Sequence, residues 1–338
     1  MNLIARPAHW LRTELRPAPA LRCLLVFLPY GLLYACTGWR EALTLALLGG
    51  GLFIATDGLG LGPRMMFLHF LLGLTLFLVL YAGIGSHALF ALLCGAAALG
   101  VIALSGVAAK LRSFGNWIFI PSVYLACELG AQRDWDARMA ALPGILFLAA
   151  CAPLVVFAVE KLSHAPLALQ RARTFSELAA GLGEGNSHWK NQALAAFASV
   201  LVATSLVGSQ QIEHGQWVIW SALSVIAIDA HQARTKIRNR IFGVLVGCPL
   251  GLLLGAVVPR FGWLYPVASA AILLTLVSFE SYLLAFTMRC ALTAFAAMVA
   301  GGSYEVADER VTNVVLGGFI GVIAVHVAEA CPRFRNHE

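Results

Sequence analysis

Apolar runs of about twenty residues, separated by short charged breaks, recur along the whole chain. About 20 apolar residues in helical form cross a hydrocarbon layer, and a chain inside lipid must satisfy its own backbone hydrogen bonds. The pattern therefore predicts an all-α integral membrane protein with about 12 transmembrane helices, at residues 23–39, 41–57, 65–84, 87–109, 115–131, 139–159, 191–209, 215–230, 241–258, 262–279, 282–301 and 311–330. Two of these runs are irregular. Residues 41–57 are short and hold Gly49, Gly50 and Gly51, and residues 115–131 contain Pro121, so either reads as a broken or tilted helix beside a cavity.

The longest polar stretch, 160–190, separates six runs from six, and landmarks recur across it. Glu41 stands sixteen residues before Asp57, and Glu213 sixteen before Asp229; each acid is followed by a basic turn into a glycine-containing run. An even number of crossings per half gives two parallel six-helix repeats, related by an axis along the membrane normal. The expected divisions are a cytoplasmic segment at 1–22, a first repeat at 23–159, a linker at 160–190, a second repeat at 191–330 and a tail at 331–338. Within the linker, the spacing of Leu167, Leu169, Phe175, Leu178 and Leu182 among polar residues predicts an amphipathic helix on the membrane face.

Composition and charge narrow the class further. The 338 residues are 60% hydrophobic and 12% charged, whereas a soluble domain carries about 25% charged residues. The net charge of +6 does not imply nucleic acid, because basic residues beside membrane spans meet anionic lipid. With the N-terminus inside, seventeen Lys and Arg fall on the cytoplasmic side against five outside (Arg40, Arg133, Arg138, Arg260, Arg310), with Arg289 inside a run. That bias places both termini in the cytoplasm of a multi-pass protein. Eight cysteines lie singly and read as small buried hydrophobes. The basic start before 23–39 also fits a signal peptide, but Tyr34 suits a cleavage box poorly. No HExxH, GxSxG before a helix, GxxxxGK[ST] or Cys/His cluster occurs, so neither an enzyme, a cofactor nor a metal is expected.

The stretch from Gln216 to Pro259 is the most informative. A tryptophan-led run ends at Asp229, passes Thr235, Lys236, Arg238 and Arg240, and re-enters on Gly243, Gly247, Gly251 and Gly255. Arg310-Val311-Thr312-Asn313 then precedes Gly317, Gly318 and Gly321. These segments resemble the fusaric acid resistance family, which includes the aromatic acid exporters and is related to the plant aluminium-activated malate transporters. The resemblance is good over 190–330 and fainter over 20–160, where Arg64 and Gly73 take the equivalent places. Long members carry a sizeable cytoplasmic domain that has no counterpart here. The resemblance implies export of organic anions, typically aromatic carboxylates, across a bacterial inner membrane, with a periplasmic adaptor as a partner in Gram-negative members. A second copy of the chain is a further candidate partner, and nucleic acid is not.

The residues themselves suggest how an anion could cross. Arg289 lies in an apolar run, where an arginine faces protein or water; it either contacts a substrate or pairs with an acid such as Glu280 or Glu128. Lys236, Arg238 and Arg240 would gather anions at the cytoplasmic mouth, with Arg240 favoured at the helix entrance, although insertion topology alone also explains basic loops there. Trp217 and Trp220 are interfacial anchors or stacking platforms for an aromatic substrate. Gly243, Gly247, Gly251 and Gly255 form a smooth face for close helix packing. Proton coupling would use Asp229 and Asp57, at matching places in the halves, or Glu280 or His326. A passive anion channel and a non-transporting accessory subunit are the competing readings.

Overall fold

The computed structural model describes residues 14–131, 133–164, 174–226 and 230–330, and among them the chain is all-helical. The first six helices are α1 (Pro17–Thr37), α2 (Arg40–Leu59), α3 (Pro63–Gly83), α4 (His87–Ala103), α5 (Leu111–Gly130) and α6 (Trp135–His164). A short α7 (Phe175–Gly181) follows, and then α8 (Trp189–Gln210), α9 (Gln216–Val225), α10 (Ala230–Val257), α11 (Leu264–Leu274), α12 (Tyr282–Val299) and α13 (Glu305–Ala330). Of these thirteen, nine are long and apolar enough to cross a membrane. The chain is a multi-pass membrane protein.

Three elements expected to cross do not meet both conditions. Helix α5 is long enough but less apolar, while α9 has 10 residues and α11 has 11. At 1.5 Å per residue those two span about 15 Å, half a hydrocarbon layer. Helix α9 stops where Ile226 turns extended, with φ −52° and ψ 123°, and α11 dissolves into turns after Thr275.

The opposite correction applies to α10. The charge break places residues 231–240 in a basic turn, but they are helical and continuous with the glycine-bearing segment, in one helix of 28 residues. Gln, Lys and Arg are good helix formers and no Gly or Pro interrupts them, so nothing stops the helix there. Arg310 and Arg138, expected in outer loops, likewise lie inside α13 and α6 and are buried. In the linker, α7 is the described part of the expected amphipathic helix, capped by the Thr174 hydroxyl accepting from Glu177 N–H; residues 165–173 lie outside the described residues.

Glycine sets the closest contacts. A Cβ on Gly247 would meet the Thr287 carbonyl, one on Gly251 the Ala291 carbonyl, and one on Gly255 the Met298 Cβ at 2.5 Å. Along this face α10 and α12 approach backbone to backbone, as small residues permit. Gly317 and Gly321 of α13 meet the Val218 and Ala222 carbonyls of α9 in the same way.

The partners of each helix follow one scheme on both sides of the linker. Helix α3 packs on α5 as α10 does on α12, α2 on α6 as α9 does on α13, and α1 on α2 as α8 does on α9. Across the two sets, α4 packs on α8 and α11 on α1.

Polar contacts between helix ends fall into two groups. One joins Arg16 to Glu280 (3.3 Å), Arg22 to Asp57 and Glu160, and Arg234 to His326. The other joins Glu41 to Arg133 (2.7 Å), Tyr81 to Arg138, and His214 to Glu309.

Candidate anion site along a broken helix

Helix α9 is buried almost throughout, from Gln216 to Val225. Its sequence dictates what it presents: Trp217 and Trp220, three residues apart, share a face, and Ser221 adjoins them. Its C-terminal carbonyls carry the negative end of the helix dipole, and the break at Ile226 leaves one of them open. Two cations take it. Arg112, from α5, donates to the Ile226 carbonyl at 2.6 Å, and Lys236, from α10, at 3.3 Å.

Three more cations stand beside α9, each from a different helix. The Arg310 guanidinium (α13) lies 4.7 Å from the Trp217 ring centroid, and that of Arg289 (α12) 5.8 Å from Trp220. Arg240 (α10) donates from Nε to the Ser221 hydroxyl at 3.2 Å and from Nη1 to the Tyr282 hydroxyl at 3.0 Å, and lies over the Phe286 ring at 4.5 Å. From Trp217 to Ile226 these contacts follow the helix for about 14 Å, at 1.5 Å per residue. Five cations therefore line one broken helix.

The three arginines are buried, at 4%, 8% and 4% exposed for Arg240, Arg289 and Arg310. Among the described residues none of them pairs with a carboxylate. Removing a charge from water costs several kcal/mol after relaxation, and a cation–π contact returns about 0.5–2. Arg240 and Arg310 are also near enough to repel Arg289. The cluster is thus an excess of buried positive charge, which an anion would relieve.

The arginines differ in how fully they are occupied. Arg289 donates from Nε to the Thr275 hydroxyl at 2.9 Å and lies 3.4 Å from the Thr275 carbonyl, at the end of α11. The expected acids are elsewhere: Glu280 is exposed and bound to Arg16, and Glu128 accepts from the Gln216 side chain. Arg310 is the least satisfied, for its Nε is buried with no hydrogen-bond partner. Arg138, 172 residues earlier in α6, also has an unpartnered buried Nε, but its Nη1 donates to the Tyr81 carbonyl at 3.2 Å.

The structure gathers Arg289, Arg240, Lys236, Trp217 and Trp220 in one place. Arg238 is exposed on α10 and takes no part. Arg240 does not stand at a helix entrance: ten residues of α10 precede it. Asp57 is held by Arg22 at 2.7 and 3.2 Å, and Asp229 lies outside the described residues. His326 meets the Val322 carbonyl through Nδ1 at 2.8 Å and Arg234 through Nε2 at 2.8 Å.

Sequence reasoning missed Arg310, Arg112, Ser221 and Tyr282. For Arg310 a signal was available. Arg310, Asn313, Gly317 and Gly321 recur at helical spacing, so the arginine shares the face that meets α9. Asn313 on that face donates to the Glu213 carbonyl at 2.8 Å, fixing the start of α9. Among the described residues, the nearest approach to a metal-ligand set is Glu213, His214 and Glu309, whose ligand atoms lie within 4.8 Å of one another. The His214–Glu309 bond of 2.7 Å already satisfies two of them.

Residues 194–324 match the family model described as fusaric acid resistance protein-like. The matched stretch contains Trp217, Trp220, Ser221, Lys236, Arg240, Arg289 and Arg310, while Arg112 precedes it. No curated protein and no solved structure matches the chain.

Proposed function

We propose that this membrane protein, which carries the fusaric acid resistance protein-like pattern over residues 194–324, exports organic anions from the cytoplasm across a bacterial inner membrane, with aromatic carboxylates as the substrate class. The observation that carries this reading is the row of cations along α9, from Arg310 through Arg289 and Arg240 to Lys236 and Arg112. An anion entering hydrocarbon loses its water, and preorganised guanidinium groups replace it at a site already desolvated. An aromatic carboxylate offers both parts this row binds: a charged head for an arginine and a flat face for Trp217 or Trp220.

Two further assignments belong to the proposal. The shared helix-packing scheme on either side of the linker supports two parallel six-helix repeats, with α9 and α11 as broken crossings of the second. The two groups of end contacts agree with an alternation that keeps residues 14–16, 57, 160, 280 and 326 on the cytoplasmic side.

A second reading concerns the driving force. Asp57, Glu280 and His326, the described proton-coupling candidates, are each bound to an arginine. That favours passive movement down the membrane potential, which gives an anion leaving a negative interior about 2.3 kcal/mol per 100 mV. Purified protein in liposomes loaded with labelled benzenesulfonate, an ion charged at every pH used, separates the cases. Efflux that follows a valinomycin potential and ignores a pH gradient supports passive conduction. Efflux driven by a pH gradient at clamped potential supports a proton-coupled exporter, and no efflux under either condition overturns the proposed function.

A further inference from the structure

The two tryptophans of α9 share a face of the helix but not a setting. Trp217 is 5% exposed, whereas Trp220, one turn further on, is partly open.

The closure around Trp217 has an identifiable cause. The His214 imidazole lies parallel to its indole, with ring centroids 4.6 Å apart and an interplanar angle of 10°, and the Arg310 guanidinium stands 4.7 Å from the same ring. Helix α13 holds both neighbours. His214 Nδ1 meets the Glu309 carboxylate at 2.7 Å, and Arg310 is the next residue of that helix. Nearly one turn on, Asn313 donates to the Glu213 carbonyl at 2.8 Å and to the His214 carbonyl at 3.3 Å. Residues 309, 310 and 313 thus clasp the start of α9 around Trp217, and a ring so enclosed has no face left for a solute.

Trp220 stands differently. Among the described residues no aromatic ring stacks on it, and the Arg289 guanidinium lies 5.8 Å from its centroid, close to the limit of about 6 Å for a cation–π contact. Arg289 turns Nε and Nη2 toward Thr275, where α11 gives way to turns. Its Nη1 has no hydrogen-bond partner among the described residues and is not fully enclosed. An open indole and a spare guanidinium N–H therefore adjoin each other at the broken end of α11, and discontinuous helices are where membrane transporters commonly hold their solutes. A flat anion placed here meets an aromatic face and a charged donor together.

We propose that the two tryptophans divide the work. Trp220 receives the ring of an aromatic anion beside Arg289 and sets the preference for flat substrates, while Trp217 is a positioning residue that holds Arg310 in the row. This rests on the proposed anion transport and names the residue that reads the substrate class.

The test is equilibrium binding to the purified full-length protein with two probes of equal charge and equal carbon number, benzenesulfonate and cyclohexanesulfonate. Only the first has a planar aromatic face. The wild type is expected to bind benzenesulfonate about fivefold more tightly, the size of one aromatic contact. Trp220→Leu, which keeps apolar bulk, should bring that ratio to about one and change cyclohexanesulfonate affinity by less than about twofold; Trp220→Met serves if the leucine variant fails to fold. Trp217→Leu should weaken both probes by a common factor and keep the ratio, and Trp217→Phe, which restores a ring beneath Arg310, should recover both affinities. A wild-type ratio that persists in the Trp220 variants, or one that disappears in Trp217→Leu, overturns the division, as does a wild type with no preference between the probes. Failure of the wild type to bind either probe would instead remove the anion reading beneath it.

Discussion

Arg310 lies with its guanidinium 4.7 Å from the Trp217 ring centroid, and its buried Nε has no hydrogen-bond partner. Its counterpart Arg138 shares the unpartnered buried Nε, but its Nη1 donates to the Tyr81 carbonyl. An unsatisfied buried donor costs about 1–3 kcal/mol, more when charged, and at Arg310, beside Trp217, the proposed anion would supply the acceptor. Arg310→Gln is expected to weaken benzenesulfonate binding at least tenfold, a loss of about 1.4 kcal/mol or more. Arg138→Gln should lower the melting temperature and leave binding in place. Equilibrium dialysis and thermal unfolding on both variants check the pair, and equal loss of binding in the two would count against the distinction.

Arg289 has a structural role and a proposed functional one. It closes the end of α11 through Thr275 while presenting its face to Trp220. Arg289→Ala is expected to abolish anion efflux while the protein still inserts and remains abundant. Thr275→Val removes the hydroxyl acceptor and should cost about 1 kcal/mol of stability with efflux retained. If Thr275→Val loses efflux as completely as Arg289→Ala, the arginine matters for holding α11 and not for the anion.

Burial changes what salt should do to Arg240. A cation at an open mouth would lose its effect at high ionic strength, but screening reaches buried charges poorly. Arg240→Ala is therefore expected to weaken anion affinity by a similar factor at salt of about 20 mM and about 500 mM. Lys236→Gln, altering a half-buried residue, should show the steeper salt dependence. Competition binding across that range reads both, and a strongly salt-dependent Arg240→Ala effect would contradict the buried placement.

The glycines of α10 permit a sharp comparison. Gly251→Ala puts a Cβ against the Ala291 carbonyl, a backbone atom that cannot rotate away, and overpacking of this kind costs about 1–3 kcal/mol. Gly73→Ala, in α3, has nothing within 4 Å of the new Cβ and should gain about 0.5–1 kcal/mol from helix propensity. Thermal unfolding in detergent should separate the two in sign.

Sidedness can be read directly. Leu15 and Phe279 form a backbone bridge, with Arg16 N–H donating to the Ser278 carbonyl at 2.9 Å. In a Cys36→Ser background, cysteines placed at Arg16 and Glu280 should react with an impermeant thiol reagent from the cytoplasmic side alone, and one placed at Glu213 from the opposite side alone. Labelling of Arg16→Cys and Glu280→Cys from different sides would break the proposed topology.

Much of this protein is fixed by residue order alone. The membrane class, the positions of most helices, the glycine face of α10 and the candidacy of Arg289, Arg240, Trp217 and Trp220 are legible, because hydrophobic period and charge cost are local properties that no neighbour can reverse. Tertiary structure decided the rest. Charge breaks suggested that Arg310 lay in a loop and that Lys236 and Arg240 lay in a turn, yet helix propensity carried both stretches into the bundle, where packing against α9 buried the arginines. The break at Ile226 has no Gly or Pro to announce it; it persists because Arg112, distant in sequence, and Lys236 satisfy the open carbonyl. Which cation meets which ring, and that Arg138 reaches the Tyr81 carbonyl where Arg310 lies beside Trp217, depends on the approach of helices far apart along the chain, and no spacing rule within one segment encodes that.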